Sequence, residues 1–383
     1  MKKVVLFLIV LFSFMTNVYA EDLNLANNAK SSILIEASTG EIIHEKNSND
    51  RLKPASMTKI MSLILIMEEI EKGALKLDDI ITVSENASNM GGSQIYLETG
   101  EKMSVDDLLK AICVGSANDA VVALAERIAG SEEAFVFKMN EKVKKIGLKN
   151  TNFKNSTGLD EEEHYSSAYD MAYMARELVK HKKILEYSGI YETYLRQNTN
   201  KKFWLVNTNK LIKTYEGMDG LKTGFTEGAG YCLTATAKRG DMRLIGVVMG
   251  EETSKVRNDE MAKMLDYGFN MYKVKPYLST NTKVGEIKND KSSVSKVNVV
   301  PLEEINIVNK KGDSDRKLTY DLKLNDYELP IKKGDIVGTL TIKENGKKLY
   351  NINVTINKDL KKANILELLL KNIGNFISGN NIF

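Results

Sequence analysis

Ser56 and Lys59 form the most chemically suggestive pair in the sequence, an S-x-x-K motif. Pro54 precedes the pair and a helical pattern follows it, which places the lysine one turn after the serine on the same helix face. A lysine kept neutral by burial or by a neighbouring positive charge can take the serine proton, so that Ser56 becomes a competent acyl acceptor. The same spacing recurs at Ser293 and Lys296 in a β-rich region, so the motif needs context to carry meaning.

Two short elements further along the chain supply that context. An S-x-N tripeptide holds Ser116 and Asn118 within a helical region, and a K-T-G tripeptide holds Lys222, Thr223 and Gly224 on a predicted strand. Gly224 would let a substrate backbone approach closely, and Lys222 would place charge beside the acylation site. In this order, about sixty and then about a hundred residues apart, the three elements form the motif set of penicillin-recognising acyl-serine enzymes.

Longer segments extend the agreement beyond the motifs. The stretches NDAVVALAERIAGSEEAFVFKMNEKVKKIGLKNTNFKNSTGLD, HYSSAYDMA and DGLKTGFTEGAGYCLTATA resemble the D-alanyl-D-alanine carboxypeptidases of the penicillin-binding-protein-5 type. The similarity covers roughly residues 30–275. The resemblance implies that Ser56 is the nucleophile, Lys59 its base, Ser116 and Asn118 the second active-site element, and Lys222 the electrostatic and proton-relay partner.

The resemblance also implies how the substrate is held. The amides of the nucleophile and of Phe225 would form the oxyanion hole. The hydroxyls of Thr223 and Thr226 would donate to the terminal carboxylate of the substrate, and Arg257 occupies the family position for a guanidinium partner. Arg243 is expected to be a surface residue. Phe225 departs from the polar residue often found after K-T-G, which would alter side-chain preference but not the role of its amide.

The elements that must position these residues form an α+β catalytic domain over residues 21–276, of the β-lactamase/transpeptidase-like kind. A hairpin is predicted at 32–38 and 41–46, and helical periodicity runs from 55 to about 183. Strand character returns at 203–206, 220–223, 231–237 and 243–249, before a helix at 256–271. The pattern predicts a mostly antiparallel sheet with an inserted helical block.

A small all-β domain is predicted over residues 277–357, from alternating segments at 297–300, 305–308, 318–324, 336–342 and 350–356. Residues 358–383 follow as an amphipathic helix. Its apolar stripe is formed by Ala363, Leu366, Leu369, Leu370, Ile373 and Ile377, with Lys361, Lys362 and Lys371 beside it. The stripe is too short to span a bilayer and favours a position in the membrane interface, with docking on its own domain as the alternative.

The other end of the chain predicts export. Lys2 and Lys3 precede an apolar run and small residues end at Ala20, so residues 1–20 read as a signal peptide, with an uncleaved signal anchor as the alternative. Their removal changes the formal net charge from +3 to +1, a balance that argues against nucleic acid as a partner. We therefore expect the mature enzyme at the outer face of the cytoplasmic membrane, peripherally anchored.

Four other reactive or titratable residues are expected to be structural. Cys113 and Cys232 favour two free, buried thiols, because a domain of this size does not need a disulfide. His164 is expected to be a solvated or capping residue, and Asp170 to pack or cap near a helix start. No Cys/His cluster has the spacing of a zinc site, and no cofactor is predicted.

The function predicted from the resemblance is removal of the terminal D-alanine from peptidoglycan stem pentapeptides, with β-lactams as covalent inhibitors. D,D-endopeptidase action on crosslinked peptides would use the same acylation chemistry. A β-lactamase would need a glutamate-activated water, but the acidic run at 161–163 lacks the glutamate followed by leucine and asparagine of those enzymes. A noncatalytic penicillin- or peptidoglycan-binding sensor would be expected to lose the serine, the lysine or K-T-G, and all are present.

Overall fold

The computed structural model describes residues 24–370 of the chain. The predicted signal peptide and the last part of the predicted terminal helix lie outside these residues. Between residues 24 and 370, every helix is too short or too polar to cross a bilayer.

A five-stranded antiparallel sheet forms the centre of the catalytic domain, in the order β2-β1-β9-β8-β7. The strands are β1 Ser31–Glu36, β2 Ile42–Lys46, β7 Met218–Thr226, β8 Gly230–Arg239 and β9 Met242–Glu251. All residues of β1 are buried, because the sheet carries a core on both faces. The sheet is therefore built from the two ends of the domain, as predicted, and β7, which carries K-T-G, lies at its edge.

The helical block lies between β2 and β7. A 3₁₀ turn at Ala55–Thr58 leads into α1 Lys59–Glu71, followed by α2 Glu85–Ser88, α3 Val105–Gly115, α4 Asn118–Ala129, α5 Glu132–Lys145, α6 Ala168–Leu178 and α7 Lys183–Ser188. Ser84, Ser104, Ser131 and Ser167 cap α2, α3, α5 and α6 by accepting a hydrogen bond from a first-turn amide. The helical periodicity predicted from 55 to about 183 is interrupted between α3 and α4, because Ser116 adopts left-handed dihedrals and ends α3.

Shorter elements connect the block to the sheet. They are β3 Ile80–Thr82, β4 Lys102–Ser104, β5 Glu192–Leu195, β6 Phe203–Val206 and α8 Leu211–Thr214, and α9 Ser254–Met271 then follows β9. Strand β6 was expected in the central sheet but pairs with β5 in a separate hairpin. Helix α9 covers the sheet face opposite the helical block, where Met261, Met264 and Leu265 pack with Leu34 and Leu244.

The β-rich region has its own core and a five-stranded sheet in the order β11-β12-β16-β15-β14. These strands are β11 Gly285–Lys288, β12 Lys296–Pro301, β14 Leu318–Leu324, β15 Gly338–Glu344 and β16 Lys347–Ile356. A second pairing joins β10 Tyr272–Leu278 to β13 Ile305–Lys310, so β10 runs across the predicted boundary at residue 276. Arg316 links the two domains by donating to Glu41 at 2.6 Å and to Glu344 at 2.7 Å.

The terminal helix, predicted from residue 358, begins at residue 365. Residues 358–364 are not helical, because Leu360 and Lys362 form β-bridges with the β-rich domain, and Ala363 of the predicted stripe is buried there. The apolar side chains of the helix, Ile365, Leu366, Leu369 and Leu370, are 55–87% exposed, whereas Leu360 just before the helix is fully buried. The β-rich core therefore includes the segment that leads to the helix and leaves the apolar side chains of the helix itself uncovered by the described residues.

Candidate active site

The side chain of Lys59 lies at the centre of a buried polar cluster. Its Nζ is 2.9 Å from Ser56 Oγ, 2.6 Å from Asn118 Oδ1 and 2.7 Å from the carbonyl oxygen of Thr157. The amide of Asn118 is oriented by donation from Nδ2 to the carbonyl of Gly91, so its oxygen faces the lysine. A neutral amine has two hydrogens, which the two carbonyl-type oxygens accept, and its lone pair is left for the hydroxyl hydrogen of Ser56.

Electrostatics favour that neutral form. Complete burial lowers the pKa of Lys59 well below its ordinary value, and the positive charge of Lys222 lowers it further. The charge of Asp119 raises the pKa of Lys59, but its carboxylate accepts hydrogen bonds from the amides of Ile95 and Leu97 rather than from the lysine. The lysine is thus held where a base is needed, with no carboxylate among its hydrogen-bond partners within residues 24–370.

Ser116 lies at the break between α3 and α4, where its φ of 62° ends the first helix. Its hydroxyl oxygen is buried and has no hydrogen-bond partner among the described residues. A buried hydroxyl without a partner costs about 1–3 kcal/mol, so this oxygen is set up to pair with a bound ligand.

The K-T-G strand packs directly against the turn that carries Ser56. A Cβ added at Gly224 would lie 2.8 Å from the carbonyl oxygen of Pro54 and 3.3 Å from the amide nitrogen of Ser56. On the other side of the turn, Gly158 has a φ of +91°, and a Cβ there would lie 1.9 Å from the carbonyl oxygen of Ala55. Glycine is therefore required at both positions, and the close approach sets the amide of Ser56 beside Gly224, the residue that precedes Phe225.

Lys222 and Thr223 face inward from this strand. Burial lowers the pKa of Lys222 to about 7, with Cys113 and Arg257 as smaller, opposing influences, and its Nζ donates to the carbonyl of Thr223 at 3.1 Å. The hydroxyl of Thr223 donates to Thr208 Oγ1 at 2.8 Å. A lysine with a pKa near neutrality can both accept and return a proton.

A cleft of about 450 Å³ opens over these groups. Its lining residues are Ser56, Ser93, Ser116, Val206, Thr208, Lys210, Thr223, Gly224, Phe225, Tyr231, Ser254, Arg257 and Asn258. Six of the ten predicted site residues are in this set, and Lys59, Asn118 and Lys222 are buried. The described lining contains two cationic side chains, Lys210 and Arg257, and no carboxylate, which suits an anionic ligand.

Thr226 is the one predicted site residue that neither lines the cleft nor is buried, within the residues that the structure describes. Its hydroxyl donates to Asp160 Oδ1 at 2.8 Å and accepts from the amide of Ala229 at 3.0 Å. Of the two threonines predicted to bind the substrate carboxylate, Thr223 is the one that lines the cleft.

Arg257 lies in the first turn of α9, nearly buried, and burial lowers its pKa. Its Nε and Nη2 donate to Asn258 Oδ1 at 3.1 and 2.9 Å, and no salt bridge to a carboxylate is formed within residues 24–370. Arg243, by contrast, is paired with both oxygens of Asp219 at 2.7 and 2.8 Å. Arg257 is therefore the guanidinium whose charge remains available for a substrate carboxylate.

The expected structural residues have structural partners. His164 Nε2 is 2.9 Å from Thr58 Oγ1, and burial lowers its pKa to about 4, so the ring is neutral. Asp170 accepts from the amide of Asn150 at 2.7 Å and from the hydroxyl of Thr151 at 2.8 Å. The thiols of Cys113 and Cys232 are free and buried, which confirms the prediction.

Several lining residues were not predicted from the sequence, namely Ser93, Thr208, Lys210, Tyr231, Ser254 and Asn258. Tyr231 lies on strand β8, and the others lie in loops or at helix starts, where no periodic signal marks them, although Asn258 follows Arg257 directly. The acidic run Glu161, Glu162 and Glu163 lines a separate cavity. Hence no glutamate of that run faces the cleft.

Comparison with known proteins agrees with the fold and the site. A family model described as D-alanyl-D-alanine carboxypeptidase matches residues 17–253, and one described as penicillin-binding protein 5, C-terminal domain, matches residues 272–362. The D-alanyl-D-alanine carboxypeptidase DacF of Bacillus subtilis is 51% identical over 353 residues, which cover 92% of this chain and 91% of the relative.

Two solved structures extend the comparison. Penicillin-binding protein 5 of Haemophilus influenzae has 31% identity and a TM-score of 0.71, covering 88% of this chain and 98% of that one. Penicillin-binding protein D2 of Listeria monocytogenes in its ampicillin-bound form has 31% identity and a TM-score of 0.58, covering 65% and 99%. The chain therefore belongs to the D-alanyl-D-alanine carboxypeptidase family of the penicillin-binding-protein-5 type.

Proposed function

We propose that this enzyme removes the terminal D-alanine from peptidoglycan stem pentapeptides through an acyl-enzyme on Ser56. The observation that carries the proposal is the environment of the Lys59 amine. Its two hydrogens are donated to the oxygens of Asn118 and Thr157, and its lone pair faces Ser56 Oγ at 2.9 Å. This arrangement activates a serine without a histidine or a metal ion.

The reaction follows in two balanced halves. Ser56 Oγ attacks the carbonyl of the penultimate D-alanine as its proton passes to Lys59 Nζ, and the amides of Ser56 and Phe225 stabilise the oxyanion. Collapse breaks the peptide bond, and the proton held by Lys59 passes through Ser116 and Lys222 to the departing amine. Water then attacks the ester and gives one proton to Lys59, which passes it to Ser56 Oγ as the ester bond breaks and the shortened peptide leaves.

The cationic end of the cleft supports a substrate with a free C-terminal carboxylate. Arg257 is nearly buried and has only the neutral amide of Asn258 as a hydrogen-bond partner among the described side chains. A carboxylate bound there would supply the missing negative charge, and Thr223 would donate a hydroxyl beside it. A peptide ending in an amide would lose this pairing.

Release of D-alanine from diacetyl-L-lysyl-D-alanyl-D-alanine tests the proposal. We expect steady release by the wild type, none by Ser56→Ala, and a penicillin adduct of the expected mass on the wild type alone. The adduct should decay slowly, because no carboxylate is present in the described lining of the cleft to activate a deacylating water. An adduct on Ser56→Ala, or binding of penicillin without any D-alanine release, would overturn the assignment.

We further propose that the enzyme is exported, loses residues 1–20, and is peripherally anchored at the outer face of the cytoplasmic membrane by residues 358–383. The exposed side chains of Ile365, Leu366, Leu369 and Leu370 support this proposal, because an apolar surface left in water is unfavourable and can be buried among lipid tails. Lysines beside the stripe would add attraction to anionic lipid, so binding should weaken but persist at high salt.

Two measurements test the localisation. Deletion of residues 365–383, which leaves the buried Leu360 in place, should abolish cosedimentation with anionic liposomes and leave D-alanine release unchanged, since the exposed apolar side chains lie outside the catalytic domain. Equal sedimentation of both proteins, or unfolding of the truncated one, would mean that the helix belongs to the β-rich core. Sequencing the N-terminus of exported protein should give Glu21, and retention of Met1 would contradict cleavage.

A further inference from the structure

The β5–β6 hairpin presents two aromatic rings to solvent. Tyr194 and Trp204 are directly opposite each other in the strand register, and their side chains are 41% and 57% exposed. Glu192 Oε2 accepts from Trp204 Nε1 at 3.3 Å, and Lys202 Nζ lies 4.1 Å from the centroid of the Tyr194 ring. The two rings thus lie on one face of the hairpin, with Glu192 at the edge of the indole and Lys202 over one face of the tyrosine ring; this surface, in which the indole is the more exposed ring, is called here the aromatic platform.

The other face of the hairpin is fixed to the active site. Leu195 and Leu205 are buried, and Leu205 packs so closely on Gly115 that a Cβ added there would lie 2.7 Å from its methyl group. Gly115 directly precedes Ser116 of the S-x-N element. The amide of Thr208 also donates to the carbonyl of Val114 at 3.3 Å. The platform is therefore held on the end of helix α3 rather than carried on a free loop.

The platform continues a wall of the cleft. Side chains two residues apart on a strand share a face, so Trp204 points to the same side of β6 as Val206, which lines the cleft. Two residues along a strand span about 7 Å. A substrate that leaves the cleft past Val206 would meet the indole ring next.

We propose that the aromatic platform binds a sugar ring of the peptidoglycan glycan strand, the part of the substrate that carries the stem peptide; this inference rests on the proposed function. A hexosamine ring has a C–H face that stacks on aromatic rings and a polar rim that Glu192 and Lys202 can reach. The sugar is joined to the N-terminal end of the stem peptide, so an extended donor peptide of four residues separates it from the scissile bond by about 13 Å.

The broad exposed indole of Trp204 suits the C–H face of a sugar ring, whereas an apolar peptide side chain would need a pocket. Large exposed apolar surfaces on a soluble domain mark binding sites more often than chance placement. Because the surface is continuous with the substrate cleft, its occupant is expected to be part of the same substrate rather than an unrelated partner.

Trp204 is the single tryptophan of the chain, so its fluorescence reports on this surface alone. In Ser56→Ala protein, which cannot turn over substrate, we expect a disaccharide-linked pentapeptide to shift the emission and the free pentapeptide to leave it unchanged. A shift caused by the free pentapeptide would identify a peptide surface instead. An unshifted emission with bound disaccharide-pentapeptide would overturn the proposal.

Kinetics provide the second arm. Trp204→Ala should raise KM for the disaccharide-pentapeptide by about twofold to tenfold, the range expected for one aromatic contact, and leave kcat/KM for the free pentapeptide unchanged. Trp204→Phe should restore most of the loss, and Phe137→Ala, which removes an exposed aromatic ring on α5, is the matched control. An equal loss for both substrates would assign Trp204 to hairpin stability. If the wild type failed to hydrolyse the free pentapeptide, the proposed function itself would be wrong.

Discussion

Asn118→Asp tests whether Lys59 acts as a neutral base. The substitution changes one atom of the side chain and keeps its size, but it puts a carboxylate where an amide oxygen now lies 2.6 Å from Lys59 Nζ. In the wild type, burial and Lys222 keep the pKa of the amine low. A carboxylate in contact with the amine would favour its charged form and remove the lone pair that faces Ser56.

The size of the effect follows from the distance. Two unit charges 2.6 Å apart interact by about 6 kcal/mol at an effective dielectric constant of about 20, which disfavours the neutral amine by a factor of about 10⁴. At a pH where half of the wild-type amines are neutral, only about one in ten thousand would be neutral in the variant. We therefore expect acylation at neutral pH to fall by ~10²–10⁴, the usual contribution of one acid-base group.

Stopped-flow acylation with a fluorescent penicillin across pH 6 to 10 measures this directly. The pH profile of Asn118→Asp should move upward and the rate should recover as the pH rises. Asn118→Ala, which removes the hydrogen bond without adding charge, should lose less activity and show no upward shift. Melting curves of both variants exclude unfolding as the cause. Wild-type rates and an unshifted profile in Asn118→Asp would mean that Lys59 is not the base.

Three further predictions concern Lys222 and Asn258 at the cleft and Glu251 at the end of strand β9. Lys222→Ala should slow penicillin acylation only modestly, because burial rather than Lys222 is the main cause of the low pKa of Lys59. It should lose most peptide turnover, by ~10²-fold or more, because an unstrained peptide bond depends more on protonation of its leaving nitrogen than a strained β-lactam bond does; equal losses in both assays would refute this division. Asn258→Asp should raise KM about tenfold or more with little change in kcat, since a carboxylate would occupy Arg257 and compete with the substrate; an unchanged KM would show that Arg257 does not bind the carboxylate. Burial and Glu260 raise the pKa of Glu251 to about 8 from 4.5. Between these values the folded protein binds a proton that the unfolded chain does not, so its stability falls as the pH rises from 4.5 to 8. Glu251→Gln should flatten the dependence of Tm on pH in that window, and parallel curves for the two proteins would contradict the raised pKa.

The catalytic residues were predictable because their chemistry is local in sequence. A serine and a lysine one turn apart on a helix must face the same side, and K-T-G on a strand needs no knowledge of the fold to suggest close backbone approach. The hairpin of β1 and β2, the helical block and the β-rich region follow from periodicity and turn residues, and the structure has all three.

The residues that were missed depend on contacts distant in sequence. Strand β6 has ordinary strand composition, and only its pairing with β5 removes it from the central sheet. The carbonyl of Thr157 reaches Lys59 from a loop 98 residues away, and a backbone group carries no signal in the sequence. Thr226 was placed by motif position, but Asp160 draws its hydroxyl away from the cleft.

The contacts of Gly158 and Gly224 with the turn at Ala55 and Ser56 limit how this enzyme can change under selection. A side chain at either glycine would collide with backbone atoms of that turn, which cannot move without displacing the nucleophile. Laboratory evolution towards penicillin resistance should therefore leave both glycines unchanged. Surviving lineages should collect substitutions at rim positions such as Phe225, where the side chain is half exposed and a replacement can alter access of the drug without moving the serine.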